Sequence, residues 1–334
     1  MSRPLKTYID TGLVLLAIAL FSLWTPDLDR AELEQRYAAS KPQTMEVDGL
    51  RLHYKESGPK DAPALLLLHG FGSSLQTWDE WALKLEPSYR VIRLDLPGFG
   101  LTGASPSRNY SEENDLALLT QFADKLGLDK FSLIGHSMGG KMAWSLAASQ
   151  PERVQALVLM APDGFPEAKD IGSKPYEVPA VMSVIQYFLP KYFVQKSIEP
   201  AFVDVKALNE ALVNRYYDML RAPGVRGAIL DRSNQTIYTD PVPRLKNIKA
   251  PTLLLWGAQD QMIPSANAQS YAGVLSNSTT IVIPNLGHLL QEEQAEKGLA
   301  AVKQFLDAQL LAIKPRCFDF KKPRDHRVLN LLCR

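Results

Sequence analysis

The chain has 334 residues, 46% of them hydrophobic and 22% charged, with a formal net charge of +1. Length and composition exclude a disordered chain and allow one large domain with an insertion, or two domains. The near-neutral balance supplies no basic field for nucleic acid and no acidic one for cations.

Arg3 and Lys6 stand ahead of an uncharged run, Thr11 to Thr25, rich in Leu, Ile, Val and Phe. Basic residues before an apolar run form an export or insertion signal. The run is shorter than the ~20 residues a full span prefers and near the top of the ~7–15 of a signal-peptide core. No small-x-small cleavage pair follows it closely, and Trp24 ends it as an interfacial residue would. An uncleaved anchor is therefore the preferred reading, with a cleaved signal and a buried core helix as alternatives. Arg3 and Lys6 orient the N-terminus inward and the body outward. Asp29-Arg-Ala-Glu32 has capping-box spacing and predicts a juxtamembrane helix over Asp29 to Ala39. Residues 1–40 are thus assigned to an anchor and its following helix.

Thr44 to Lys55 alternates around an Asp48-Gly49 turn, which signals a hairpin. Continuous apolar runs then recur at Pro63–Leu68, Tyr89–Leu96, Lys130–Ile134, Val154–Met160, Pro251–Trp256 and Thr279–Ile283. Such runs suit parallel strands covered on both faces. Helix-period segments such as Ser111–Gly127 lie between them, so the expected fold is α/β, a mostly parallel doubly wound sheet. Between Asp163 and Ile248 about 85 residues intervene, far more than a βα unit needs. Residues 164–247 are therefore expected to form a helical cap on a core made of 41–163 and 248–313. The cap's Val181, Met182, Ile185, Tyr187, Phe188, Leu189, Tyr192, Phe193, Phe202, Tyr216, Tyr217 and Met219 suggest an apolar tunnel for an acyl chain, or simply packing of the cap on itself. Leu289 to Ile313 reads as one amphipathic helix.

The tail, residues 314–334, holds seven Lys or Arg and two Asp or Glu, a balance of +5 that leaves −4 on residues 1–313. It reads as a solvated end, or as a contact for anionic lipid. Cys317 and Cys333 both lie in it and are a candidate pair in an oxidising compartment. Neither neighbours a His/Cys cluster, so no zinc site and no thiol nucleophile are expected.

The chemistry centres on Gly135-His-Ser137-Met-Gly139, the strand, sharp turn and helix of a nucleophile elbow. A serine nucleophile needs a base, an acid to orient it and donors for the oxyanion. Among five histidines, His53 falls in the hairpin, His69 before a glycine loop, His136 beside the serine and His326 in the tail. His288, after the last strand, is the expected base. Asp260, closing the penultimate strand, is the expected acid, with Asp163 as its competitor. The N–H groups of Met138 and Phe71 are the candidate oxyanion donors. No metal or cofactor is called for.

His69-Gly-Phe-Gly, Asp95-Leu-Pro-Gly-Phe-Gly, Gly135-His-Ser-Met-Gly-Gly, Trp256-Gly-Ala-Gln-Asp260 and Gly287-His288 together resemble the α/β-hydrolase superfamily over roughly Val47 to Ala312. An anchor joined to a capped hydrolase is similar to membrane-anchored monoacylglycerol lipases and bacterial inner-membrane phospholipases A. That resemblance implies fatty-acyl ester substrates from membrane lipid and homodimerisation through the anchor region. It also implies a single-pass protein of the bacterial inner membrane, with its catalytic body in the periplasm; secretion after signal cleavage is the alternative. Ser137 stands where epoxide hydrolases and haloalkane dehalogenases carry an aspartate. Carbon–carbon bond hydrolases share the triad, so an esterase or C–C hydrolase of soluble substrates stays open, as does a membrane-tethered binding module without catalysis.

Overall fold

The computed structural model describes residues 21, 23–38, 42–166, 170–172, 175 and 177–313, with side chains up to residue 309. Most of the Thr11–Thr25 run, His326, both cysteines and the basic tail lie outside these residues. Among the described residues no helix is long and apolar enough to cross a membrane.

All six apolar runs become strands. β1 (Gln43–Val47) and β2 (Leu50–Ser57) form the hairpin, followed by β3 (Ala64–Leu68), β4 (Arg90–Leu94), β5 (Phe131–His136), β6 (Val154–Met160), β7 (Thr252–Gly257) and β8 (Ser278–Ile283). They build one eight-stranded sheet in the order β1-β2-β4-β3-β5-β6-β7-β8. β1 and β2 pair antiparallel, β2 meets β4 antiparallel, and every later pairing is parallel. Every residue of β3, β5 and β7 is buried, as strands covered on both faces require. Alternate side chains feed two cores. Leu66, Leu68 and Leu133 face one, while Leu65, Leu67 and Ile134 face the other.

The helices are α1 (Arg30–Tyr37), α2 (Asp79–Leu85), α3 (Glu112–Lys125), α4 (Met138–Ser149), α5 (Lys191–Ile198), α6 (Glu210–Leu220), α7 (Val225–Gln235), α8 (Val242–Leu245), α9 (Asn267–Ala272), α10 (Leu290–Glu293) and α11 (Ala295–Ile313). Asp29 caps α1 by accepting the Ala31 N–H, and the helix ends at Tyr37, two residues before the expected Ala39. The segment read as one helix from Leu289 to Ile313 is two, because Gln294 leaves helical geometry at φ −148° and ψ 76°. The short α10 thus keeps its own direction.

Helices α5 to α8 form an insertion between β6 and β7, joined by 3₁₀ turns including Ala180–Gln186. Val194, Phe202, Leu208, Val213 and Tyr216 give it a small apolar cluster of its own, which Leu289 completes from outside. The chain at the end of the apolar run, from Trp24 to Asp27, lies on this insertion. Thr25 N–H donates to the Tyr187 carbonyl at 2.8 Å, Trp24 packs on Tyr187 at 5.5 Å between ring centroids, and Asp27 pairs with Arg226.

One buried ion pair ties α7 to α3. Arg232 forks onto both carboxylate oxygens of Asp115 and also donates to the Pro97 carbonyl at 2.8 Å. Both side chains are less than a tenth exposed. Removing one partner of such a pair strands a buried charge. Arg232→Ala is therefore expected to cost about 3–5 kcal/mol, read as a lower urea midpoint. The double change Arg232→Met with Asp115→Leu should recover most of that loss.

Candidate active site

Strand β5 ends at His136 and α4 begins at Met138, so Ser137 alone makes the turn between them. Its backbone sits at φ 53° and ψ −120°, a region costing a non-glycine residue ~1–3 kcal/mol unless its surroundings fix it. They do so through three hydrogen bonds. Ser137 N–H donates to the Met160 carbonyl, and the Ser137 carbonyl accepts from the N–H groups of Lys141 and Asp163, each at 3.0 Å. The turn also presses α4 against the end of β3. A Cβ at Gly139 would lie 2.4 Å from the carbonyl oxygens of Leu68 and His69, so only glycine fits there.

His288 Nδ1 lies 2.7 Å from Asp260 Oδ2. The other Asp260 oxygen accepts the N–H groups of Met262 and Ile263 at 2.8 and 2.9 Å. The carboxylate is thereby fixed in orientation, and its side chain is fully buried. Asp163 is not on the imidazole. Its N–H holds the Ser137 carbonyl, and its own carbonyl accepts from Trp144 Nε1 and the Tyr271 hydroxyl. Ser137, His288, Phe71 and Met138 all border one cavity of about 580 Å³. Met138 opens α4, so its N–H has no intrahelical acceptor and stays available. Phe71 follows Gly70 on the loop after β3. The structure thus brings the five expected site residues, Ser137, Asp260, His288, Phe71 and Met138, to one place.

The other described histidines have different partners. His53 Nδ1 pairs with Asp95 at 2.8 Å. His69 donates from Nδ1 to the Gly70 carbonyl at 2.7 Å and accepts the Leu96 N–H at Nε2. His136 donates from Nε2 to the His288 carbonyl at 3.0 Å, its ring 4.5 Å from that of His288. Burial, reinforced by the nearby His288, holds the His136 pKa well below the ordinary imidazole value. Burial also lowers that of His69, although Asp95 opposes the shift.

The cavity walls differ from the expected tunnel. None of the insertion residues singled out above borders it. Phe202 and Tyr216 pack within the insertion's own cluster, while Val181, Tyr192 and Phe193 lie on its outer surface. The apolar lining comes instead from Phe71, Met138, Met142, Ile237, Met262 and Ile263. A charged stretch faces it: Glu112 carries both Lys141, at 3.4 Å, and Arg244. These partners lie far apart in sequence, and no local pattern marks them.

The comparisons with known proteins agree with the fold. A family profile described as alpha/beta hydrolase fold matches residues 63–295. The dihydrolipoyllysine-residue acetyltransferase component of an acetoin cleaving system from Cupriavidus necator is 31% identical over 292 residues, covering 84% of this chain and 72% of that protein. The 2-hydroxy-6-oxononadienedioate/2-hydroxy-6-oxononatrienedioate hydrolase 2 of Pseudomonas putida is 31% identical over 269 residues, covering 77% of this chain and 92% of that one. Among solved structures, a membrane phospholipase A superposes with a TM-score of 0.70 at 28% identity, covering 91% of this chain and 99% of its own.

Unfolding exposes His69 and His136 to water, where each regains a pKa of ~6.5. Below that value the unfolded chain binds protons that the folded chain refuses, so stability falls as pH drops. Each neutral buried histidine contributes a slope approaching about 1.4 kcal/mol per pH unit until its folded pKa is reached. Urea unfolding between pH 7 and 5 should show this decline, and His136→Gln should flatten it.

Proposed function

Because the chain belongs to the α/β-hydrolase family, we propose that it is a serine hydrolase cleaving carboxylic esters of fatty-acyl lipids, of the lysophospholipid, phospholipid A or monoacylglycerol type. The observation that carries this reading is the strained Ser137 bordering the same cavity as the His288–Asp260 pair. His288 takes the Ser137 proton as Oγ attacks the ester carbonyl, and Asp260 holds the imidazole by Nδ1, leaving Nε2 to receive the proton. The N–H groups of Phe71 and Met138 receive the oxyanion. His288 then returns the proton to the departing alcohol, and water resolves the acyl-enzyme by the same path.

A cavity of about 580 Å³ falls within the range of small-molecule sites. In this reading the acyl chain lies along Met138, Met142, Ile237, Met262 and Ile263, and the polar part of the lipid meets Glu112, Lys141 and Arg244. Residues 164–247 serve as a cap on a catalytic core of 41–163 and 248–313, and the tail from 314 stays outside both. Residues 1–40 tether the body, which faces the periplasm from a bacterial inner membrane and forms a homodimer through the anchor region. The Thr11–Thr25 sequence supports this placement. So does the breadth of the likeness to a membrane phospholipase A, which reaches 91% of the chain.

A second reading, hydrolysis of a carbon–carbon bond in a soluble substrate, draws support from the Pseudomonas putida hydrolase and from the charged stretch of the cavity wall. Parallel assays of lysophospholipid, monoacylglycerol, short p-nitrophenyl esters and a 2-hydroxy-6-oxo dienoate separate the two. Lipid turnover is expected to dominate, and activity confined to the dienoate would overturn the ester reading. Ser137→Ala should fall to background and lose labelling by a fluorophosphonate. Asp260→Asn should lose about 10⁴-fold in kcat through the wrong imidazole tautomer.

A further inference from the structure

The three residues that carry the base, Gly287 to Leu289, are held by groups outside their own strand, β8. Gly287 N–H donates to Glu293 Oε2 at 2.7 Å, and Leu289 N–H donates to the Ala201 carbonyl at 3.1 Å. The His288 carbonyl accepts from His136. Ala201 belongs to the insertion, and it stands so close that a Cβ at Gly287 would lie 2.4 Å from its carbonyl oxygen. Glu293 reaches the same stretch of the insertion. Its Oε1 accepts the N–H groups of Val203 and Asp204 at 2.8 and 2.7 Å.

One buried carboxylate therefore gathers three backbone N–H donors, two from the insertion and one from the loop of the base. Glu293 does not border the active-site cavity. Its neighbour on α10 makes a parallel reach: Glu292 accepts from the Tyr216 hydroxyl at 2.9 Å and pairs with Arg215, both on α6 of the insertion. Hydrogen bonds to a charged acceptor are about twice as strong as neutral ones. A shift of 203–204 away from the body would strip two donors from Glu293 and free the side chain that fixes Gly287.

We propose that Glu293 is a positioning residue that makes the alignment of His288 depend on the seating of the insertion. Docked, residues 201–204 and the His288 loop share Glu293 and the Ala201 carbonyl. Lifted, the base loses both supports and swings out of line with Ser137. Substrate entry and catalytic competence are thereby linked. The proposal rests on the reading of His288 as the base.

Glu293→Gln tests it while keeping side-chain volume. An amide presents one acceptor oxygen and one NH₂, so it cannot accept from both sides of the clamp. Because a misplacement of ~1 Å costs on the order of 10²-fold, kcat on a soluble p-nitrophenyl ester is expected to fall about 10- to 100-fold. KM should stay within about twofold, and the rate of fluorophosphonate labelling of Ser137 should fall with kcat. In hydrogen exchange followed by mass spectrometry, labelled wild-type protein should gain protection at residues 201–204, and the variant should not. A folded Glu293→Gln protein with kcat within twofold of wild type would overturn the coupling, as would unchanged exchange at 201–204 on labelling. If that variant does not fold, Glu293→Asp decides: a kcat loss at constant KM supports the proposal, and full activity sinks it. Full activity in Asp260→Asn and Ser137→Ala would instead defeat the assignment of the base itself.

Discussion

Ser137 holds a backbone conformation that a free chain avoids, and the rest of the site is arranged around keeping it there. The three hydrogen bonds that fix it come from three different places: the end of β6, the first turn of α4, and the first residues beyond β6. The bond from Lys141 is the i, i+4 bond that starts α4, whereas the other two tie the turn to β6 and to the chain just beyond it. Those two exist only when β5 and β6 are in register, so the geometry of Ser137 depends on the centre of the sheet. The parallel order β3-β5-β6-β7 supplies that centre, and burial on both faces makes it rigid. Strain at the serine is thus offset by packing that the fold requires in any case.

The histidines show how one side-chain type is divided among tasks by its surroundings. His69 and His136 are buried where a charge would be costly, and each uses its N–H to hold a carbonyl. Their neutrality keeps positive charge away from the imidazole of His288, which sits 4.5 Å from His136. His53 meets a carboxylate, as His288 does, but it does not border the catalytic cavity, and its partner Asp95 is already committed to the N–H groups of Leu75 and Leu101. A His–Asp contact alone does not make a base. Access to a nucleophile does.

Position in the sequence was sufficient for the turn at Ser137, the pairing of Asp260 with His288 and the strands, because each is marked locally: by glycine around Ser137, by a carboxylate closing Trp256–Asp260, by unbroken apolar runs. It was not sufficient for the cavity wall. Aromatic residues of the insertion have the composition of a binding surface, yet Phe202 and Tyr216 fill a core of their own and Tyr192 and Phe193 face outward. Periodicity tells which residues of a helix share a face, and it does not tell what that face meets. Lys141, Glu112 and Arg244 come together only through the docking of α3, α4 and the insertion, so nothing in their neighbourhoods announces them. The break at Gln294 escaped for a related reason. Amphipathic spacing continues through it, while the backbone turns to let α10 serve the base.

The base also differs from the nucleophile in what holds it. Ser137 stands at the centre of the sheet, whereas His288 follows β8, an edge strand with no fully buried residue. A loop leaving such a strand receives little stiffness from the sheet. The proposed reaction needs His288 to be placed as firmly as Ser137, since proton transfer is sensitive to small displacements. The missing stiffness comes from groups beyond the strand. Asp260 holds the ring, His136 holds the carbonyl, and Glu293 and Ala201 hold the flanking N–H groups. Two of these four supports reach into or belong to the insertion. A loop that leaves an edge strand thus draws part of its rigidity from an inserted element, and the placement of His288 is tied to the seating of that element.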